Sequence, residues 1–373
     1  MPELGAVQTV RGPVPAAELG TTLPHEHLFI DLTCYWAPNG NDPDGEASIE
    51  LPLLGLLRSR PFAIRANCLL DEPEVALTEL EQFSRLGGGA IVDVTPSDIG
   101  RDPHALLELS RASGLHIIAG CGHYVHIAHP ASLPTESVEQ ITDRLLIELT
   151  EGIGGTNIRP GVIGEIGTSA QLHPDEAKTL RATARAQAAV GLPITLHLHP
   201  TARTGHAVLD ILESEGADLS RVVAGHLDDD IGQLGTSTEE VLDYHCSLAD
   251  RGCFIQYDTC GNDAYYPRTD YSPSYWLPSD RERIAAILQL LERGYETHLL
   301  LSQDVCKKTQ LIRYGGLGYA HILRTFANQL QEADVPPALI TQILTDNPQR
   351  MLAGKVAVPA TAEVAHGPQT LPG

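Results

Sequence analysis

Residues 161–197 read GVIGEIGTSAQLHPDEAKTLRATARAQAAVGLPITLH, and this stretch predicts a β-strand, an α-helix and a second β-strand. Its two ends, GVIGE and PITLH, are short runs of mostly apolar residues. Between them, the alanine-rich segment Pro174–Val190 has the length and composition of a helix. A strand, a helix and another strand form the unit from which parallel sheets are built. The fold class then depends on how often this unit occurs.

The same alternation runs along most of the chain. Further strands are predicted at residues 22–31, 89–95, 116–121, 221–225, 253–258 and 298–302, and further helices at 74–86, 104–113, 137–151, 205–215, 239–250 and 281–292. Eight strands separated by helices predict an α/β fold, a closed (β/α)8 TIM barrel that forms a single domain over residues 1–354. An open, doubly wound sheet is the alternative. It needs a glycine-rich phosphate-binding sequence after the first strand, and that sequence is absent there.

Three segments add to this pattern. Residues 35–70, rich in Pro, Gly, Asp and Asn, are predicted to form a long loop after the first strand. Residues 261–279, rich in Tyr and Pro, form a second long loop after the seventh strand, and residues 355–373 form a flexible tail. Long loops around the mouth of a barrel serve as lids or as contacts between subunits, and the sequence does not choose between these roles.

The composition disfavours several classes of protein. The formal net charge of the 373 residues is −23 and no basic patch is visible, so we expect no nucleic-acid partner. The seven cysteines include no C-x-x-C pair, and their odd number favours free thiols in a reducing compartment. The sequence shows no signal peptide and no run of about 20 apolar residues. We therefore expect a soluble cytoplasmic protein without a membrane partner.

Polar residues follow several of the predicted strands at the end where barrel active sites lie. In PHEHLFID (24–31), side chains alternate faces along the strand, so His25 and His27 point the same way. The ends of the fourth, fifth, sixth and eighth strands add Glu165, His197, His226 and Asp304. Four histidines and two carboxylates at one mouth predict two divalent transition-metal ions bridged by a carboxylate and a hydroxide. Zinc is the first choice, with Mn, Co or Ni as alternatives.

These ligands predict hydrolytic chemistry. A metal lowers the pKa of its bound water to about 7, so hydroxide is available at neutral pH, and a second ion can polarise the oxygen of the group under attack. Asp304 is a candidate to accept the proton as well as to bind metal. Asp228 and Asp229, just after His226, are candidates to orient a histidine or relay the proton. A solvated acidic turn is the alternative for this pair.

The motifs PHEHLFID, GEIGTS, PITLH, GHLDD and LSQD together resemble those of the phosphotriesterase family of the amidohydrolase superfamily. The resemblance extends from about residue 7 to residue 352. It implies that the two first-strand histidines and Asp304 hold the more buried ion. It also implies that His197 and His226 hold the more exposed ion, and that the protein forms a homodimer.

One position departs from the best-known members of this family, because Glu165 stands where they carry a carboxylated lysine. The departure matches the branch of phosphotriesterase homology and phosphotriesterase-related proteins. Two further segments also resemble this branch, VQTVRGPV (7–14) and KKTQLIRYGGLGYAHIL (307–323). A bridging glutamate needs no CO₂, so metal binding should not depend on bicarbonate. The seventh loop, QYDTCGND, lacks the histidine that organophosphate hydrolases carry there, which disfavours efficient phosphotriester hydrolysis.

The candidates for contact with a substrate are Tyr124, His199, Arg268, Lys307, Lys308 and Arg313. The cations among them could hold a carboxylate, sulfonate or phosphate. Solvated loop charges, pairs with nearby acids and packing of the tyrosine in the core are the alternatives.

The leading hypothesis is a hydrolase in which a metal-bridging hydroxide attacks a carboxylic-acid derivative. The resemblance includes N-acyl amide hydrolases and so favours an amide with an anionic group. A lactone or ester hydrolase with promiscuous phosphotriesterase activity is one alternative. A non-catalytic, metal-containing protein that binds a small molecule is the other.

Overall fold

The structure is a computed structural model, and it describes residues 5–38, 40, 45–269 and 273–353. Within these residues, eight strands alternate with helices along the chain. We number them β1 (Thr21–Glu26), β2 (Gly88–Asp93), β3 (His116–Ala119), β4 (Ile163–Gly167), β5 (Ile194–His197), β6 (Val222–Ala224), β7 (Phe254–Tyr257) and β8 (Leu299–Leu301). Strands β1 to β3 form one parallel sheet and β4 to β8 form a second, each in sequence order. This arrangement is the predicted (β/α)8 barrel.

Two seams join the sheets. At the seam between β3 and β4, the N–H groups of Gly161 and Gly164 donate hydrogen bonds to the carbonyl oxygens of Ala119 (2.9 Å) and Cys121 (2.5 Å). At the seam between β8 and β1, the carboxylate of Glu26 accepts hydrogen bonds from the residues that follow β8. A side chain therefore supplies the acceptors that a backbone ladder would otherwise provide.

The helices surround the strands. They are α1 (Leu54–Ser59), α2 (Pro73–Arg85), α3 (Pro103–Ser113), α4 (Val138–Thr150), α5 (Pro174–Val190), α6 (Gly205–Ser214), α7 (Thr238–Ala249), α8 (Asp280–Glu292), α9 (Ala327–Glu332), α10 (Pro337–Thr341) and α11 (Asn347–Leu352), with π-helical turns at Ile322–Phe326 and Gln342–Asp346. Each helix from α2 to α8 precedes the strand of the same number. None of the helices in the described ranges is long and apolar enough to cross a membrane.

Local sequence sets where several helices begin. At the start of α4, the hydroxyl of Ser137 accepts a hydrogen bond from the N–H of Gln140, whose side chain accepts one from the N–H of Ser137. Ser237 and Glu240 form the same capping box at α7. Each box satisfies two backbone donors that would otherwise lack partners at the helix end.

The apolar core lies between the helices and the strands. Leu80 of α2 and Leu180 of α5 are fully buried and belong to the same cluster as Ile91, Ile117 and Ile194 of the strands. Burying an aliphatic side chain of this size contributes about 1.5–3 kcal/mol relative to leaving it exposed. The mostly apolar strands recognised in the sequence are therefore the inner layer of this core.

The first predicted strand, residues 22–31, is longer than the observed one. Strand β1 ends at Glu26, and Ile30–Asp31 pairs instead with Leu69–Leu70 in a separate two-stranded sheet. The ladder stops because the N–H of Leu28 donates to the carboxylate of Asp93 at 2.7 Å rather than to a neighbouring strand. His27 therefore lies just beyond the strand.

The two long loops meet each other across the mouth of the barrel. The ring of Phe62 in the first loop stacks on Tyr35 at 5.1 Å and lies 5.9 Å from the ring of Tyr266 in the seventh loop. Arg58 forms an ion pair with Asp263 at 2.5 Å. These contacts give the loops the geometry of a cover over the mouth. The predicted tail at 355–373 lies outside the described residues.

Candidate metal centre

The mouth of the barrel brings the six predicted ligands together. Glu165, at the end of β4, lies at the centre of the group. Its Oε1 is 3.4 Å from Nε2 of His27, and its Oε2 is 3.4 Å from Nε2 of His25. The same Oε2 lies 3.0 Å from Nδ1 of His197 and 3.8 Å from Nε2 of His226. One carboxylate thus faces four imidazoles: one from β1, one from just beyond it, one from β5 and one from the turn after β6.

Asp304 completes the group on one side only. Its Oδ1 lies 3.2 Å from Nε2 of His27 and 3.7 Å from Nε2 of His25. The six residues therefore divide into two sets, with Asp304 and the β1 histidines in one and His197 and His226 in the other. Glu165 belongs to both.

The donor atoms fit divalent transition-metal ions. Nε2 of His25 is buried and has no hydrogen-bond partner among the described residues. The donor atoms of His25, His27 and Glu165 all lie within 4.8 Å of one another, and so do those of Glu165, His197 and His226. Imidazole and carboxylate atoms a few ångströms apart can share an ion, since their bonds to zinc are about 2.0–2.2 Å long. The two overlapping sets match the predicted division of ligands.

The charges in the group favour an ionised bridge. Burial by itself would raise the pKa of Glu165, but His197, His226 and His25 hold that pKa well below its usual range. Burial likewise opposes a charge on His25, but Asp258 and Glu165 raise the pKa of its imidazole to about 9. The cluster therefore holds a negative charge at its centre, as a bridging ligand requires.

The backbone adopts unusual conformations at two of the predicted ligands. His226 and Asp304 adopt left-handed conformations, with φ values of 58° and 45°. Such conformations are uncommon for residues other than glycine and are concentrated at functional sites. Gly164, with φ of 136°, precedes Glu165, and a Cβ there would lie 2.2 Å from the carbonyl oxygen of Thr195. Only glycine fits at this position, so the G-E pair is fixed by the close approach of β5.

Two polar residues of the β7 region support the histidines, although the sequence analysis did not single them out. Oδ1 of Asp258 lies 2.8 Å from Nδ1 of His226, and Oδ2 lies 3.5 Å from Nδ1 of His25. Gln256 donates to the same carboxylate at 2.8 Å. The alternation of Gln256 and Asp258 with apolar residues in CFIQYD was the signal that these side chains face inward. Asp258 therefore orients one histidine from each set.

We expect Asp258→Asn to weaken metal binding about 10–100-fold, because partners of this kind fix the ring orientation and basicity of metal-bound histidines. Asparagine keeps the shape but removes the negative charge shared by the two rings. The measurement is zinc affinity from competition with a chromophoric chelator. Asp243→Asn is the control, since Asp243 pairs with Arg293 on the outer surface. Equal affinities in the two variants would rule out the orienting role.

The two acidic residues after His226 have different surroundings. The carboxylate of Asp228 accepts hydrogen bonds from Nε of the buried Arg283 at 2.6 Å and from the N–H of Asp258 at 3.0 Å. Asp229 instead lines the cavity over the metal centre. Burial and the neighbouring charge of Asp228 raise the pKa of Asp229 well above its usual range. The expectation of a proton relay is therefore corrected for Asp228, which is held in an ion pair, and is retained for Asp229.

A cavity of about 340 Å³ lies over the cluster, and His197, His226 and Asp304 form part of its wall. Four of the six predicted substrate contacts also line it: Tyr124, His199, Arg268 and Lys307. The hydroxyl of Tyr124 is 3.3 Å from Nε2 of His197. Burial and the neighbouring His197 lower the pKa of His199 to about 4, so its ring is neutral at pH 7.

The other two predicted substrate contacts do not line this cavity. Nζ of Lys308 lies 2.9 Å from a carboxylate oxygen of Asp71 and 2.5 Å from one of Glu72, which draw the side chain away from the mouth. Arg313 is exposed, and its N–H donates to Glu79 at 3.1 Å. The structure therefore does not bring Lys308 and Arg313 to the cavity with the other four predicted substrate contacts.

A profile described as the Phosphotriesterase family matches residues 5–352. The chain belongs to the phosphotriesterase family. It is 36% identical over 358 residues to an N-acetyltaurine hydrolase of Salmo salar, in an alignment that covers 94% of this chain and 99% of the relative. Together with the ligand cluster, this membership identifies a metal-dependent hydrolase, which confirms the predicted enzyme class and barrel type.

Two solved structures share this fold. A resiniferatoxin-binding protein from Rhodobacter sphaeroides superposes with a TM-score of 0.88 and 38% identity, covering 94% of this chain and 96% of that one. A phosphotriesterase homology protein from Escherichia coli, complexed with phosphate in its active site, gives a TM-score of 0.72 and 28% identity, covering 90% and 99%. The predicted resemblance to the homology proteins is thereby confirmed.

Proposed function

We propose that this phosphotriesterase-family hydrolase cleaves N-acyl amides whose amine half carries an anionic group, such as an N-acyl aminosulfonate. The observation that carries the proposal is Lys307, a buried cation that lines the cavity three residues after the ligand Asp304. The similarity to relatives named N-acetyltaurine hydrolase supports the same reaction, because taurine is an aminosulfonate.

The metal content proposed is two divalent transition ions per chain, with zinc as the first choice. His25, His27 and Asp304 would hold one ion, His197 and His226 the other, and Glu165 both. When bound, such ions lower the pKa of a water molecule and polarise the carbonyl group of the substrate. The remaining steps belong to the side chains that line the cavity.

Asp304 is the residue placed to move the proton. While Oδ1 faces the β1 histidines, Oδ2 accepts a hydrogen bond from Sγ of Cys306 at 3.5 Å, at the wall of the cavity. A carboxylate in this position can take a proton from the attacking water and deliver it to the leaving nitrogen, which must be protonated for the amide bond to break. Asp229 also lines this cavity and can pass protons outward.

Lys307 is the residue placed to bind the anion. It is only 3% exposed, and no described ion pair satisfies its ammonium group. Nζ lies 3.0 Å from Sγ of Cys306 and 5.6 Å from the centre of the Tyr266 ring. A buried charge without an ionic partner is costly, so a sulfonate or carboxylate in the cavity would gain a strong interaction here.

An aromatic part of the cavity wall suits the acyl half of the substrate. Tyr35, Phe62 and Tyr124 form a continuous aromatic wall there, with Tyr35 stacked on Phe62 and edge-on to Tyr124 at 6.2 Å. Rings of this kind bury apolar groups favourably. The hydroxyl of Tyr124, next to His197, can donate to a carbonyl oxygen held at the metal centre.

The test compares N-acetyltaurine with N-acetylethanolamine, which has the same chain length but a neutral hydroxyl. Loss of one partner from a buried charge pair costs about 2–5 kcal/mol, so we expect kcat/KM to favour the anionic amide by about 10²–10³-fold. Lys307→Met should remove this preference by lowering kcat/KM for the anionic amide alone.

The neighbouring Lys308 provides the matched control for this test. Lys308→Met removes the same charge one residue away, but its side chain pairs with Asp71 and Glu72 outside the cavity. We expect the preference for the anionic amide to survive in Lys308→Met. Faster turnover of a γ-lactone or an aryl phosphotriester than of either amide by the unmodified chain would overturn the proposed reaction.

A further inference from the structure

Glu26 lies between two metal ligands in the sequence, yet the proposed reaction gives it no role. Side chains alternate along β1, so Glu26 points away from the side shared by His25 and His27. It is fully buried. A buried carboxylate is costly unless its oxygens are well satisfied, and its partners therefore indicate what it does.

The partners of Glu26 come from the chain segment that follows β8. Oε1 accepts hydrogen bonds from the hydroxyl of Ser302 and from the N–H of Gln303, both at 2.8 Å. Oε2 accepts from the N–H of Val305 at 2.9 Å. The hydroxyl of Ser302 in turn accepts from the N–H of His25 at 3.1 Å. One carboxylate thus binds a donor from each of Ser302, Gln303 and Val305 and passes over the single residue between the last two.

The residue passed over is the metal ligand Asp304. Its backbone is left-handed, with φ of 45°, a conformation that non-glycine residues keep only when the surrounding structure imposes it. The N–H groups on either side, from Gln303 and Val305, are both bound to the Glu26 carboxylate. We call these hydrogen bonds to the Glu26 carboxylate the bracket. The bracket holds the turn in which Asp304 faces His25 and His27.

The chemistry of the bracket requires a carboxylate. Its three donors, one hydroxyl and two N–H groups, need a partner that accepts at both oxygens. A glutamine offers one oxygen and one NH₂ group, so whichever way its amide turns, at least one backbone N–H of the segment faces another donor. The glutamate between the two histidines is therefore matched to the turn after β8.

We propose that Glu26 is a positioning residue, which brackets Asp304 and so sets the affinity of the chain for the ion held by His25, His27 and Asp304. The inference rests on the metal centre of the proposed function. It adds a role for the middle residue of the H-E-H motif, because that residue ties the first and last strands of the barrel together at the metal centre.

The experiment loads Co²⁺ into metal-free full-length protein and follows the visible absorption spectrum during titration. For Glu26→Gln we expect about 10–100-fold weaker binding of one of two Co²⁺ ions and a changed spectrum for that ion. We expect kcat to fall while KM stays about the same, because Glu26 itself does not line the cavity. Ser302→Ala removes one donor from the bracket and should give a smaller change in the same direction.

Glu79→Gln is the matched control. Glu79 is also a buried carboxylate, and it accepts a hydrogen bond from the N–H of Arg313, in the same segment but nine residues beyond Asp304. It should leave both Co²⁺ affinities and the spectrum unchanged. If Glu26→Gln does not fold, the spectrum of Ser302→Ala decides.

Failure of this inference and failure of the proposed function give different results. Unmodified protein that binds no Co²⁺ would contradict the metal centre itself. Unmodified protein that binds two ions, together with Glu26→Gln or Ser302→Ala variants that bind them with the same affinities and spectrum, would overturn the role of Glu26 alone.

Discussion

Glu165→Ala is expected to abolish both tight metal binding and turnover. Glu165 lies at the centre of both sets of predicted ligands, with one oxygen 3.4 Å from His27 and the other 3.0 Å from His197. Without it, no predicted ligand would join the two sets, and Asp304 would supply the only negative charge among the predicted ligands. Two cations bound close together would then repel each other with less compensation. The loss of metal affinity should exceed the factor of about 10–100 that is expected when a residue that only supports a ligand is removed.

The measurement is bound zinc per chain after gel filtration, together with kcat for N-acetyltaurine. Glu148→Ala is the control, because Glu148 pairs with Arg101 at 2.9 Å and does not contact the metal ligands. Retention of two ions per chain in Glu165→Ala would contradict the bridging role. Reconstitution of the unmodified protein should give the same metal content with and without bicarbonate, since the bridge is a glutamate and not a carboxylated lysine.

Arg283→Met is expected to destabilise the fold by about 3–5 kcal/mol, the cost of breaking a buried ion pair by removing one partner. Arg283 is fully buried, and its Nε donates to Asp228 at 2.6 Å. Its Nη2 donates to the hydroxyl of Thr259 at 2.6 Å and to the carbonyl oxygen of Asn262 at 2.9 Å. In the variant, the buried carboxylate of Asp228 would lack a cation, and the turns after β6 and β7 would lose their common partner.

The free energy of unfolding in urea, measured on metal-free protein, tests this prediction. Arg293→Met is the control, because Arg293 pairs with the exposed Asp243 and such surface pairs contribute about 0–1 kcal/mol. Equal losses of stability in the two variants would show that Arg283 does not hold the turns together.

Much of the metal centre was predictable because its signals are local. The alternation of apolar strands and helices gave the barrel, and the position of active sites at the strand ends then placed His197 and Asp304 at one mouth. The H-E-H motif put two imidazoles on one side because the side-chain period of a strand is two. These inferences need only short-range periodicity and the rule that parallel strands end together. The homodimer, the cytoplasmic location and the number of metal ions stay predictions.

The direction of individual loop side chains was not predictable. Lys307 and Lys308 are adjacent and chemically identical, yet one lines the cavity and the other is drawn outward by Asp71 and Glu72, more than 230 residues earlier in the chain. The surroundings of Asp228 likewise differ from those of Asp229, because Asp228 pairs with Arg283, 55 residues later in the chain. Such choices depend on partners that only the folded chain brings near.

The sequence by itself determined the barrel and the hydrolytic class and predicted six candidate ligands, because these follow from periodicity and residue type along the chain. The tertiary structure decided which cation faces the substrate, which acid remains available for a proton, and how Glu26 brackets Asp304. The physical reason is that a ligand set can be read from strand ends. The orientation of a side chain in a loop is instead fixed by hydrogen bonds and ion pairs between distant segments.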